Sequence, residues 1–371
     1  MLPLVNRVSA AGTAIVVALG LVLAAIVEQR AFPVDSSHRP VAAPGPGRSS
    51  TRPTSSSRSK HRRKPESPAV LLNHQVKRVA VSERGPAARS EFGVRKVASP
   101  VVRLTRLDKK RTWAFGTEAI PPPRGSSAMP EASVFVARAT GSTWKVALAG
   151  APEFAALLRK APASVLPADE RSALLRYDAS AKRADDGLML PWTAGQSWTL
   201  VPSERGLSFG GGDGRVLAAT SGRLYRLCSP TPDRGLVLVV GADGTATEYY
   251  QLDQLTEVPD GGLVERGDYL GRTSADQPCG GGAALGPLVR FGLRNADGPI
   301  DIDGLRIGGW TLHEIPGSTF AEHDGLRVGP GNPLLNFGIT ATPSPSPSKS
   351  GGRSPDVPPL LGPSGGLDDQ T

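Results

Sequence analysis

Between residues 190 and 338 the chain is cut into short apolar runs by glycine-rich punctuation. "SWTL", "RVLAAT", "GRLYRLC", "GLVLVV", "TATEYYQL", "LVERG", "YLGRT" and "LVRFGLR" alternate with "GGDG", "GADG", "PDGG" and "RGD". Runs this short leave no room for long helices, and regular spacing with glycine turns predicts an antiparallel β-sandwich or barrel. "GADG", between "LVLVV" and "TATEYYQL", has the composition of a hairpin turn. The run "LVRFGLR" alternates: Val289, Phe291 and Leu293 share an apolar face, while Leu288, Arg290, Gly292 and Arg294 share the other. The first face reads as core; the second needs a reason.

The flanks differ in style. Residues 113–186 begin with three strand-like runs, "TWAFGTEAI", "ASVFVARA" and "TWKVALAG". Two helical patterns follow, "APEFAALLRKAP" and "PADERSALLRY", predicting a small α+β accessory domain that is marginal by itself. Residues 31–112 form a basic Pro/Ser/Arg-rich segment, and residues 339–371 a Pro/Ser/Gly-rich tail. Both are expected to be disordered, because they offer too little apolar surface to offset the entropy of ordering. The net charge of +9 belongs to the first of these segments: residues 28–111 hold 20 Lys or Arg against 6 Asp or Glu. The remainder after Arg111 is acidic, which argues against a nucleic-acid-binding domain. The run "SKHRRK" is a candidate contact for anionic wall polymers, with a solvated linker as the alternative.

Residues 8–27 carry no charge and follow Arg7. Twenty such residues make a helix of about 30 Å, the thickness of a bilayer core. Residues 1–30 are therefore expected to be an uncleaved signal anchor, or otherwise a signal peptide. Either places the rest of the chain outside the membrane. Cys228 and Cys279 are the only two thiols, and in an oxidising compartment they would pair; two unrelated buried thiols are the alternative. Closing that loop would stabilise the fold by about 4 kcal/mol.

Chemistry is sparse in the β region. Only His313 among the five histidines falls within its strand-like runs, and the two cysteines are too far apart for a zinc knuckle. "GLSFG" around Ser208 lacks the glycine spacing of a nucleophile elbow. "GGGDG" lacks the Lys-Ser or Lys-Thr of a phosphate loop and reads as a turn. Asp297, Asp301 and Asp303 match no calcium loop and read as a polar turn.

The order of these motifs carries more than any one of them. "LPWTAGQSWTL", "LSFGGGDGRVLAATSGRLYRLC", "YYQL", "LVERGDYLG", "CGGGAALGPLVRFGLR" and "GGWTLHE" in succession resemble the lysostaphin-type zinc metallopeptidases, particularly their β-lytic, LasA-like branch. The resemblance covers residues 190–338, closing on "GLRVGPGNPLLNFG". It implies an antiparallel, LytM-like β domain over 187–338, a secreted location, and cleavage of peptide bridges in peptidoglycan by one zinc ion.

Carried over residue by residue, that chemistry fails. The first metal histidine has no counterpart near Ser203, Glu204 and Arg205. The metal aspartate falls on Ser208, a catalytic histidine on Gln251, and the His-x-His pair on Leu288 and Arg290. Leucine has no lone pair, and arginine is a permanent cation without an acceptor, so neither binds zinc. Glutamine takes no proton near neutral pH. The resemblance therefore implies a non-catalytic relative with no zinc, whose groove residues Tyr250, Gln251 and Arg290 would bind peptidoglycan peptides or a cell-wall hydrolase. Two alternatives stand beside it: an active zinc endopeptidase with ligands relocated to Glu204, Asp213 or His313, and a structural wall tether acting through the basic stalk.

Overall fold

The computed structural model describes residues 67–180, 187–203, 206–282, 284–315 and 317–339. The expected membrane segment, the "SKHRRK" run, Glu204 and all but the first residue of the expected tail lie outside them. Among the described residues no helix is long and apolar enough to cross a membrane.

Order begins well before Trp113. Ser67 caps a helix α1 (Pro68–Glu83), its hydroxyl accepting from the Val70 amide at 3.4 Å, with Pro68 in the first turn where its missing N–H costs nothing. A second helix α2 (Gly85–Phe92) ends at Gly93, whose φ of 63° suits a residue without Cβ. Strands β1 (Val101–Leu107), β2 (Trp113–Ile120), β3 (Glu131–Thr140) and β4 (Thr143–Leu148) then form an antiparallel sheet in that order. Residues 67–107 are thus folded, which corrects the expected stalk boundary at 112. The physical reason is local. Leu72, Val76 and Ala80 recur every four residues and pack on Ala114, Phe135, Ala137 and Leu148, a pattern that composition averaged over a long window conceals.

The other face of this sheet is buried too. Phe115, Ala119, Val134 and Val136 point away from α1 into a second core, shared with α3 (Phe154–Lys160) and α4 (Ala168–Ala179). Burial on both faces explains why "TWAFGTEAI" and "ASVFVARA" read as nearly continuous apolar runs.

The β region supplies β5 (Ser197–Val201), β6 (Leu207–Gly210), β7 (Arg215–Leu217), β8 (Gly222–Thr231), β9 (Arg234–Gly241), β10 (Ala246–Asp253), β11 (Leu263–Val264), β12 (Tyr269–Thr273), β13 (Leu288–Arg294), β14 (Pro299–Ile300), β15 (Arg306–Ile307), β16 (Trp310–Ile315), β17 (Ser318–His323), β18 (Leu326–Val328) and β19 (Pro333–Leu335). The main sheet runs β11-β8-β9-β10-β13-β6-β5-β19, and β15 to β18 form a separate four-stranded sheet. All these strand pairings are antiparallel, and "GADG" is the β9–β10 hairpin turn, with Gly244 at φ 88°. The architecture is the mainly β, antiparallel one expected, with a small helical complement.

Strand β9 shows why the main sheet cannot stand alone. Val237 and Val239 face a core with Trp192, Trp198 and Phe209, the two indoles stacked at 5.0 Å. Leu236, Leu238 and Val240 face the opposite way, into the core that holds Phe115, Val134 and Leu158. The accessory strands and the β region therefore share one core. Each supplies the apolar cover that the other lacks, so the 113–186 segment is not marginal in this setting.

Candidate functional site

Strands β6, β13 and β10 are neighbours, and their register lines up the residues singled out in the sequence. Arg290 sits opposite Ser208 on one side and Tyr250 on the other, while Leu288 pairs with Gly210. Gln251 follows Tyr250 and would ordinarily point to the opposite face. A bulge intervenes: the β9–β10 register slips by one residue between Tyr249 and Leu252, and Gln251 adopts φ 65°. A left-handed backbone is uncommon for glutamine and costs on the order of 1 kcal/mol. It is offset by a buried hydrogen bond, in which Arg290 Nε donates to Gln251 Oε1 at 2.9 Å. Gln251 Nε2 has no hydrogen-bond partner among the described residues.

The predicted disulfide is present. Cys228 and Cys279 are joined with their Cα atoms 5.9 Å apart, tying β8 to the start of the glycine loop. Tyr250 fastens the same loop: its hydroxyl donates to the Gly280 carbonyl at 2.6 Å and accepts from the Cys279 amide at 3.2 Å. Burial pushes the Tyr250 phenol up to about 12, against the opposing pull of the Cys279 amide and the Arg290 charge. It stays a neutral donor throughout the physiological range.

The link between β2 and β3, residues 121–130, packs on the glycine loop beside the face of β13 that carries Arg290, and on Gly292 within that face. The Gly125 amide donates to Gly281 O at 3.3 Å, and the Gly282 amide donates to Ser126 O at 2.6 Å. A Cβ on Gly280 would fall 2.7 Å from the Pro122 carbonyl, so only glycine permits this approach. Farther along, a Cβ at Gly292 would lie 3.6 Å from Met129 Sδ. Tyr250, Gln251 and Arg290 do come together, but at 1%, 0% and 9% exposure they are packed inside rather than displayed. The open groove expected from the sequence is filled here by the chain's own accessory strands. Their apolar partners lie far upstream in sequence, which is why the alternation of β13 gave no sign of a cover.

At the other end of β13, Arg294 enters a buried ionic cluster that sequence reasoning missed. Its Nη1 lies 2.9 Å from Glu248 Oε1, and its Nη2 lies 3.3 Å from Glu131 Oε2. Arg84, from the junction of α1 and α2, reaches Glu131 at 4.0 Å and donates to the Asp297, Ala149 and Ala296 carbonyls. Glu118 completes the cluster, with neither carboxyl oxygen hydrogen-bonded among the described residues. Burial, together with the negative charge of Glu131, pushes its carboxyl up to about 8, opposed by Arg84 and Arg294. Burial likewise raises Glu248 to about 7 against the pull of Arg294. Near neutral pH Glu118 keeps its proton, so Glu131 and Glu248 are the carboxylates paired with the guanidinium groups. The only available sequence signal was the placing of Arg290 and Arg294 on one face of a short strand.

The zinc that the resemblance implies does not fit the residues at its expected positions. Leu288 offers no donor atom, and Arg290 brings a fixed positive charge to the centre of the line. The Ser208 hydroxyl and the Gln251 amide are weak neutral donors beside it. The relocated candidates are dispersed. Asp213 Oδ1 accepts from the Arg215 amide in the β6–β7 turn. His313 lies in the separate β15–β18 sheet, stacked on Phe320 at 4.8 Å. Asp301 and Asp303 act as turn acceptors for the Asp303 and Glu314 amides.

No family model matches the chain, and no curated protein does. Solved structures do. The chain is similar to the M23 metalloprotease pseudoalterin from the deep sea, at 24% identity over 41% of this chain and 99% of that one, with a TM-score of 0.35. It is similar to the catalytic domain of lysostaphin from Staphylococcus simulans, at 18% identity over 30% of this chain and 88% of that one, with a TM-score of 0.23. It is also similar to a zinc-containing peptidase from Vibrio cholerae, at 10% identity over 64% of this chain and 95% of that one, with a TM-score of 0.27.

Proposed function

We propose that the chain is an extracytoplasmic, membrane-anchored, non-catalytic metallopeptidase-like protein that engages peptidoglycan or regulates a cell-wall hydrolase. One observation carries this reading. Where the family resemblance would put a metal ligand and a water-handling histidine, a buried arginine is hydrogen-bonded to a glutamine. A fixed cation held by a neutral amide neither binds zinc nor accepts a proton. The pair fills the space and closes the strand bulge, so the scaffold is kept while the chemistry is replaced. Tyr250, Gln251 and Arg290 are buried, so engagement through them requires the covering chain to move aside.

The test compares sedimentation of the full chain with purified peptidoglycan for wild type, Arg290→Ala and Arg290→Lys. Binding that falls in both variants, with no release of peptide from the wall, supports the reading. Unchanged binding by a folded Arg290→Ala chain would remove the buried pair from the ligand contact. Release of wall peptides by the wild-type chain would overturn the non-catalytic role.

A further inference from the structure

Among the described residues, the basic side chains between Ser67 and Leu107 separate into two groups once the fold is known. Arg84, Arg103 and Arg106 are internal fastenings: Arg103 pairs with Asp260, and Arg106 grips Glu170 with two hydrogen bonds at 2.6 and 2.9 Å. Lys77, Arg78, Arg89, Arg95 and Lys96 are different. They line one cleft of about 670 Å³ between α1, α2 and the segment entering β1, and no carboxylate is among its lining residues. Among the described residues none of the five forms an ion pair with a carboxylate. Gathering five positive charges without neutralising them opposes folding through mutual repulsion, and nothing in the core requires it.

We propose that this cleft binds a phosphodiester-linked polyanion. Three arginine forks and two lysine ammonium groups, offered along one concavity, match phosphate oxygens repeated along a chain. The floor is aliphatic, with Val81, Val97 and Pro100, and no aromatic ring lines the cleft. That favours a polyol backbone over the bases of a nucleic acid, which would want stacking partners. Concavity also sets it apart from the protruding apolar face by which proteins lie on lipid. The site depends on the extracytoplasmic placement proposed above and not on the loss of catalysis, so zinc-dependent hydrolysis by the chain would leave it standing.

The test uses the full chain and a fluorophore-tagged poly(glycerol phosphate), with two variants that remove equal charge. One is Arg89→Gln/Arg95→Gln/Lys96→Gln in the cleft. The other is Lys109→Gln/Lys110→Gln/Arg111→Gln in the exposed β1–β2 turn. Any contribution of the upstream basic run is common to both. Wild-type affinity should fall with salt along a log–log slope at least as steep as about −3.5, the share of five cleft contacts at roughly −0.7 each. The cleft variant should bind at least about tenfold more weakly, with a slope shallower by about 2, while the turn variant changes less than about twofold. The polymer should raise the melting temperature of wild type but not of the cleft variant, which separates binding from misfolding. Equal losses in the two variants would reduce the site to net charge and overturn it. So would a polymer that does not bind, or cleft-dependent capture by phosphatidylglycerol vesicles in place of the polymer.

Discussion

Arg290 and Gln251 are the residues on which the functional reading turns, and they hold each other. Removing the guanidinium strips a buried amide oxygen of its donor and leaves a cavity. Arg290→Ala should therefore destabilise the chain by about 2–4 kcal/mol in urea unfolding. A loss below about 0.5 kcal/mol would mean that the pair is not formed in solution. Glu118 gives an independent check at the same scale. Its native carboxyl keeps a proton up to about 8, whereas the unfolded chain releases it near 4.5. The folded state binds more protons across that window, so this contribution is complete below the unfolded value and is lost as pH rises toward 8. The urea midpoint should fall between about pH 5 and pH 9, and Glu118→Gln should flatten that fall. A midpoint rising over the same range, or an unaltered slope in the variant, would show that Glu118 is not a buried acid.

Helix α1 and the glycine loop are the elements whose placement most changes how the chain is understood. Strands announced themselves: the β8–β9–β10 hairpins and β13 were legible from alternation and turn composition, because both signals are local. Helix α1 was legible too, in Ser67-Pro68 and the four-residue spacing of Leu72, Val76 and Ala80, but its surroundings are so rich in Pro, Ser and Arg that average composition hid it. The cover over Arg290 was not legible. Its face of β13 meets the accessory strands, as the bond from Arg294 to the Ala132 carbonyl shows, and no local pattern encodes a contact so distant in sequence. Two consequences follow for these elements. Leu72→Ala should cost about 2–5 kcal/mol of global stability, since its side chain is buried against the β2–β4 sheet; unfolding identical to wild type would return α1 to the linker. Replacing both Cys228 and Cys279 by alanine should cost about 4 kcal/mol, because the bridge closes a loop of 51 residues. A double variant as stable as wild type would show that the hydrogen bonds of Tyr250 alone secure the loop.

Across the whole molecule, the accessory strands and the β region act as one body because the main sheet is apolar on both faces. That carries the folded part upstream of Trp113, to Ser67 at least. Limited proteolysis of the full chain should leave a resistant core that retains α1 and α2, and a core beginning near Trp113 would contradict their packing. The shared core also bears on activity. The face that would carry zinc in the resemblance is occupied by an arginine bonded to a glutamine; of the other candidate ligands, His313 lies in the β15–β18 sheet, Asp213 in the β6–β7 turn, and Glu204 outside the described residues. Elemental analysis of the full chain, purified without chelators and assayed in parallel on peptidoglycan, decides the matter. The expected result is well under one zinc per chain and no peptide release. One zinc per chain, lost together with peptide release in Glu204→Ala or His313→Ala, would show an active peptidase with relocated ligands.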